Sequence, residues 1–245
     1  MVIRPALFRQ HPVLAALSTR RGGVSAEPYG MNLSFSVGDD PNDVLRNRQL
    51  FYGSLRIGLD TLAIPKQVHS SKVLAVRQAG EYLECDGLVT DKEQIFLCVT
   101  FADCLPLLLY APDVRAIGAI HAGWRGTSAG IGKEGVRQLT AEFGADPSKL
   151  LGFIGPAAGV CCYEVGQDVV DRFDPRYIRK SDGHWYADLK GAIAGQLRDS
   201  GVSVNHLEIH PSCTIKEPVN YHSFRRDGAR SGRMMAVIGI SQKEW

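Results

Sequence analysis

Apolar residues recur along this chain in two rhythms, and the shorter one dominates. Runs rich in β-branched and apolar residues at 62–64, 73–76, 87–90 and 95–100 predict strands. The runs 105–110 and 116–120 flank Pro112-Asp113, which reads as the turn between two paired strands. From 127 to 143 the spacing turns helical through Ile131, Val136, Leu139 and Phe143, and Gly144 ends it. An earlier helix starts at Asp40-Pro41, with Asp as N-cap and Pro in the first turn, ahead of Val44, Leu45 and Leu50. Further on, 151–154, 207–209 and 234–240 predict strands, while 165–173 and 189–197 predict helices. Strands outnumber the gaps wide enough for crossover helices. The expected class is therefore α+β with mixed β-sheets, not a doubly wound parallel sheet. No repeat, low-complexity tract or long linker divides residues 1–245, so a single catalytic domain is expected.

Composition narrows the function classes. Of 245 residues, 44% are hydrophobic and 22% charged, the balance of a globular chain with an ample core. A net charge of +2 supplies no general pull toward nucleic acid or an anionic membrane. The most apolar stretch, 95–111, is cut by Asp103 and Pro106 and does not suit a membrane span. Met1-Val2-Ile3-Arg4-Pro5 lacks the apolar core of a secretion signal. Cysteines at 85, 98, 104, 161, 162 and 213 are scattered rather than arranged as a disulfide framework, so a reducing cytoplasm is the expected home.

Three segments carry potential metal ligands at or beside strand ends. They are Gln67-Val68-His69, Ala102-Asp103-Cys104-Leu105-Pro106 and His121-Ala122-Gly123-Trp124-Arg125-Gly126. Each residue alone has a plainer reading: Cys104 as a small buried hydrophobe, either His as a hydrogen-bonded structural residue. Together, two imidazoles and a thiolate suit Zn²⁺ and leave a fourth position open. Asp103 reads as a turn residue, or as one that orients a ligand His or binds a polar substrate. Two arginine-bearing segments, Thr19-Arg20-Arg21-Gly22-Gly23 and Arg225-Arg226-Asp227-Gly228, are solvated loops or oxyanion clamps.

The motifs, in order, resemble those of the bacterial laccase-domain or polyphenol-oxidase family, regarded as purine nucleoside phosphorylases. They include Met31-Asn32-Leu33-Ser34, Asp86-Gly87-Leu88-Val89-Thr90, Cys161-Cys162-Tyr163-Glu164-Val165-Gly166 and Ser223-Phe224-Arg225-Arg226-Asp227-Gly228, besides the three ligand segments. The resemblance implies one layered α/β/β/α-like domain and a metal triad at His69, Cys104 and His121, which also serve catalysis. It implies phosphorolysis of adenosine, inosine and methylthioadenosine, with adenosine deamination. Arg20, Asn32, Asp103, Arg125, Arg225 and Arg226 then become candidate substrate contacts. Ser70, Ala157 and Arg230 depart from the residues usual in the family at their positions, and Arg230 bears on substrate preference.

Expected partners are thus a purine nucleoside and phosphate, with Zn²⁺ as cofactor and Cu²⁺ possible at the same ligands. Two other enzyme readings use these residues. A copper oxidase acting on phenols needs many imidazoles, and the chain has seven His and no His-x-His. A metal-independent cysteine hydrolase would take Cys104 as nucleophile and a His as base. A purely structural zinc module would need four ligands, not three.

Overall fold

Odd and even positions of the central strands enter different cores, and this parity sets the layering. In Val13–Ser18, residues Val13, Ala15 and Leu17 join one apolar cluster while Leu14 and Ala16 join another. In Met234–Ile240 the even positions from Met234 go to the first cluster, and Met235 and Val237 to the second. Leu105–Ala111 divides likewise: Leu108 and Tyr110 share the first cluster, whereas Leu105, Leu107 and Leu109 belong to a third. Strands apolar on both faces must be covered on both faces. The computed structural model, which describes residues 2–241, shows how.

One six-stranded sheet runs Val2–Ile3, Val13–Ser18, Met234–Ile240, Phe96–Phe101, Leu62–Pro65, Gly80–Tyr82. A second runs Leu207–Ile209, Leu151–Ile154, Leu105–Ala111, Ala116–Ala122, Gly87–Thr90, Val73–Ala75. The first cluster fills the space between them. Helix Pro41–Ser54 covers the outer face of the first sheet through Phe51 and Tyr52, the latter donating to Cys98 Sγ and Met235 Sδ. Helices Ile131–Phe143 and Leu189–Asp199 cover the outer face of the second. Both sheets mix parallel and antiparallel pairs, so the class is α+β, as the strand count predicts.

Asp40 caps its helix as expected, its side chain accepting from the Asn42 N–H. Two helices differ from expectation. The one expected over 127–143 is two, Trp124–Ser128 and Ile131–Phe143, because Gly130 at φ 83° breaks the ladder between them. The one expected over 165–173 shrinks to Gln167–Val170. Glu164–Val165 pairs instead with His184–Ala187, which pairs with Ile178–Ser181 in a small third sheet. Val165, Val169 and Phe173 are still buried, so the apolar spacing reports burial there rather than helix length. Among the described residues, no helix is long and apolar enough to cross a membrane.

Register brings the chemistry to one end of the sandwich. Leu105 pairs with Ala122, Pro106 with His121, and Gly87 with Ile120. Cys104, His121 and Asp86 therefore lie together at that end of the second sheet. His69 sits on the crossover between Leu62–Pro65 of the first sheet and Val73–Ala75 of the second, which spans the same end.

The platform depends on the central strand. Leu107→Ala, at a fully buried position, is expected to lower stability by about 2–5 kcal/mol. Leu45→Ala, on an exposed helix face, should change it by less than about 0.5 kcal/mol. Urea unfolding of both variants checks the contrast, and equal losses would contradict the layering.

Candidate metal centre

His69, Cys104 and His121 bring their ligand atoms within 4.8 Å of one another. The two imidazole rings stand nearly perpendicular, 85° apart, with centroids at 5.0 Å. His121 is buried, Cys104 half-buried and His69 exposed, so the group opens outward through His69.

Asp86, fully buried, organises both imidazole-bearing segments. Its Oδ1 accepts from His121 Nδ1 at 2.9 Å and from the His69 backbone N–H at 2.9 Å. Its Oδ2 accepts from the Val68 and Ser70 N–H groups and the Ser70 hydroxyl. A carboxylate only accepts, so the His121 proton sits on Nδ1 and Nε2 is turned to Cys104. Orienting a ligand His was one of three readings of Asp103 in the sequence. The structure gives it to Asp86, which was visible only as part of the Asp-Gly motif at a strand start.

Asp103 has a different task. Its Oδ1 accepts from Thr214 Oγ1 at 2.7 Å, and its Oδ2 from Ser223 Oγ and the Arg225 N–H. It thereby ties the loop carrying Arg225 to the residue beside Cys104. Both His69 (φ 61°) and Asp103 (φ 83°) adopt the left-handed backbone region that favours glycine.

A metal fits this donor set. Two imidazoles and a thiolate are the ligand chemistry of Zn²⁺ and of copper. The backbone is also shaped for close approach: a Cβ on Gly123 would lie 2.9 Å from the His69 ring and 3.1 Å from Cys104 Sγ. Burial alone would raise the Cys104 thiol, but His121 and His69 outweigh it and bring it down to about 6. Burial likewise opposes charge on His121, yet Cys104 and Asp86 push it up to about 9. Each group thus favours the charged form of the other, thiolate on Cys104 and imidazolium on His121.

The remaining candidates separate into two groups. Tyr163 is buried within electrostatic reach of Cys104, Arg225, Asp103 and Arg125, and burial followed by Cys104 raises its hydroxyl. Arg225 lies 5.0 Å over the Tyr163 ring and donates to the Glu164 carbonyl. Arg125 is exposed and stacks on Trp124. Arg233 feels the charge of Cys104 and Asp103, and its Nη1 donates to the Ser231 and Gly232 carbonyls. Tyr163 stood in the sequence only as part of the motif over 161–166, with no role of its own, and Arg233 only as a basic residue following the Arg225-Arg226 segment.

By contrast, all five donors of Arg226 are engaged: two with Asp227, and one each with the Thr214, Ile215 and Tyr221 carbonyls. Arg20 holds Glu27 and the Pro28 and Pro218 carbonyls. Asn32 is fully buried, gives its amide to Ser34 and Asp39, and accepts from the Ser34 and Arg233 N–H groups. These hydrogen bonds fix the arginine-bearing loops. His222 lies beneath them, fully buried and pushed down to about 3, by burial first and then by Arg20.

Residues 14–241 match the family model described as multi-copper polyphenol oxidoreductase laccase. The chain is 38% identical to a purine nucleoside phosphorylase of Deinococcus radiodurans, over 94% of this chain and 90% of that protein. It is 34% identical to purine nucleoside phosphorylase YlmD of Bacillus subtilis, over 94% and 89%. The crystal structure of YlmD from Geobacillus stearothermophilus superposes with a TM-score of 0.91, covering 97% of this chain and 94% of that one at 34% identity.

Two outcomes follow from the geometry. Gly123→Ala should weaken zinc binding by about 10-fold or more while leaving the fold intact, as measured by competition with a chromogenic chelator and by circular dichroism. Zinc must also displace the His121 proton. Affinity should rise about tenfold per pH unit from 6 to 9, flatten above 9, and fall more steeply below 6 as Cys104 protonates. Affinity that stays flat from pH 6 to 9 would contradict the imidazolium assignment.

Proposed function

This chain belongs to the multi-copper polyphenol oxidoreductase laccase family, and from that premise we propose that it is a purine nucleoside phosphorylase. The reading is supported by relatives of that name along nearly the whole chain. The observation that carries it is an open His/Cys/His group beside a tyrosine ringed by arginines. In phosphorolysis a phosphate oxygen bonds to the sugar C1′ as the bond to the purine nitrogen breaks. The purine leaves with the electron pair and takes a proton, giving free base and ribose 1-phosphate.

Arg225 and Arg125, with Arg233 behind them, would hold the dianion near the sugar. Arg226 and Arg20 keep those loops in place. Tyr163, kept neutral, would donate a hydrogen bond and wall the site from water. His69, Cys104 and His121 would hold Zn²⁺, and copper could take the same ligands. A zinc ion there would supply Lewis acidity or lower the pKa of a water. Adenosine, inosine and methylthioadenosine are the proposed substrates, with adenosine deamination as a second activity. The ligand-bearing segments link both sheets, so the whole chain is proposed as one catalytic unit.

The phenol-oxidase reading fares worse on geometry. Of seven His, only His69 and His121 enter a candidate metal group among the described residues, too few for a multicopper centre. The thiolate–imidazolium pair does suit a cysteine hydrolase. A chelator that removes metal and activity without unfolding the protein would dismiss that reading.

Incubation with inosine and phosphate should yield hypoxanthine and ribose 1-phosphate. Cys104→Ala should lower turnover by about 100-fold or more. Arg225→Ala should cost about 10–100-fold in kcat/KM for phosphate, the equivalent of lost charge-assisted hydrogen bonds of about 1.5–3 kcal/mol. Absence of product from the unaltered protein, or full activity in Cys104→Ala, would overturn the proposal.

A further inference from the structure

Three thiols outside the centre described above also meet. Cys161, Cys162 and Cys213 place their Sγ atoms within 4.8 Å of one another, with 3.3 Å between those of Cys161 and Cys162. All three are free thiols. Cys213 is buried, Cys162 half-buried and Cys161 exposed, so the group has a closed floor and an open mouth.

The backbone is arranged around the sulfurs. Ala157 forms a parallel bridge with Cys213, joining two loops far apart in sequence. The Cys162 N–H donates to the Gly159 carbonyl at 2.9 Å, a turn that folds both neighbouring cysteines back toward Cys213. The Gly159 N–H donates to Cys213 Sγ at 3.3 Å. A Cβ on Gly159 would press on Cys161 Sγ and Cys213 Cβ at 3.3 Å each, so the loop packs closely against the sulfurs. Lys190, anchored on the His210 and Ser212 carbonyls, sets a positive charge close to Cys213 and Cys161.

We propose that Cys161, Cys162 and Cys213 bind a second metal ion, a thiophilic closed-shell cation: Cu(I), or Zn(II) with a further ligand from solvent. Thiolates select such ions, and three sulfurs with no imidazole form a softer set than the His/Cys/His group. Each thiol loses its proton to solvent on binding, and no electron is transferred. Three thiolates around a monovalent cation leave excess negative charge, which Lys190 and the N–H donor to Cys213 oppose. The ion would pin the 157–163 loop to Cys213. That junction borders the first centre: the Ala158 N–H donates to the Asp103 carbonyl, and Thr214 donates to the Asp103 carboxylate. Its role is to hold that wall in place.

The test is anaerobic titration of the full, reduced, metal-stripped chain with Cu(I), and separately with Zn(II), against a chromogenic chelator. The unaltered chain should bind two equivalents. The variant carrying His69→Ala and His121→Ala should keep one, with an all-sulfur shell by X-ray absorption. Cys161→Ser, at the exposed mouth, should weaken that equivalent by about 100-fold while sparing the first centre. Retention with Cu(I) alone identifies a Cu(I) site; retention with both ions identifies a general thiophilic one. Loss of all tight binding in the His variant, or binding indifferent to Cys161→Ser, would overturn the proposal.

Discussion

A buried carboxylate holds the centre together. Asp86 is sealed from solvent and accepts five hydrogen bonds, from one imidazole, one hydroxyl and three consecutive backbone N–H groups. An ion buried without partners would cost several kcal/mol, so the charge is tolerable only because every donor is present. Burial pushes its pKa up, and His121 and Ser70 more than reverse this. Its folded value is therefore depressed, and the stability it lends is present above the ordinary carboxylate range. That stability is lost only as pH falls through the depressed value. A crossover between two sheets and a strand end thus have one shared anchor. The His121 ring and the His69 backbone cannot move far without leaving a donor of that anchor unpaired.

Asp103 repeats the device on the other side of Cys104. Three donors from two distant loops converge on its side chain, and through them Arg225 is fixed relative to the thiolate. The arginines then divide by what remains of their donors. Arg226 has spent all five on the protein, so its charge steadies a loop. Arg225 makes one side-chain hydrogen bond and keeps the rest of its fork available. Guanidinium groups are interchangeable in a sequence, but not once their hydrogen bonds are counted.

That distinction marks where the sequence stops being legible. Apolar parity predicted the strands Gly87–Thr90, Leu151–Ile154, Leu207–Ile209 and Met234–Ile240 at their observed bounds, because burial on two faces leaves a period of two. The alanine-rich strand Val13–Ser18 escaped, since Ala and Leu carry no strand preference of their own. The convergence of His69, Cys104 and His121 was open to the motifs, and the structure draws the three together. The identity of the orienting acid was not. Asp86 and Asp103 stand equally beside strand ends in the sequence, and only register decides which one meets His121.

Backbone strain is concentrated at the same centre. His69 and Asp103 occupy left-handed conformations that cost a non-glycine residue about 1–3 kcal/mol each. Glycine at either position would relieve that strain and forfeit the side chain the site uses. Each strained residue is bound to a carboxylate network: His69 gives its N–H to Asp86, and Asp103 is itself the acceptor for three donors. Gly123 completes the arrangement by leaving out the one Cβ that would separate His69 from Cys104. The spacing of the three ligands thus rests on these hydrogen bonds and on that missing Cβ. An ion binding there competes with the proton that Cys104 and Asp86 favour on His121.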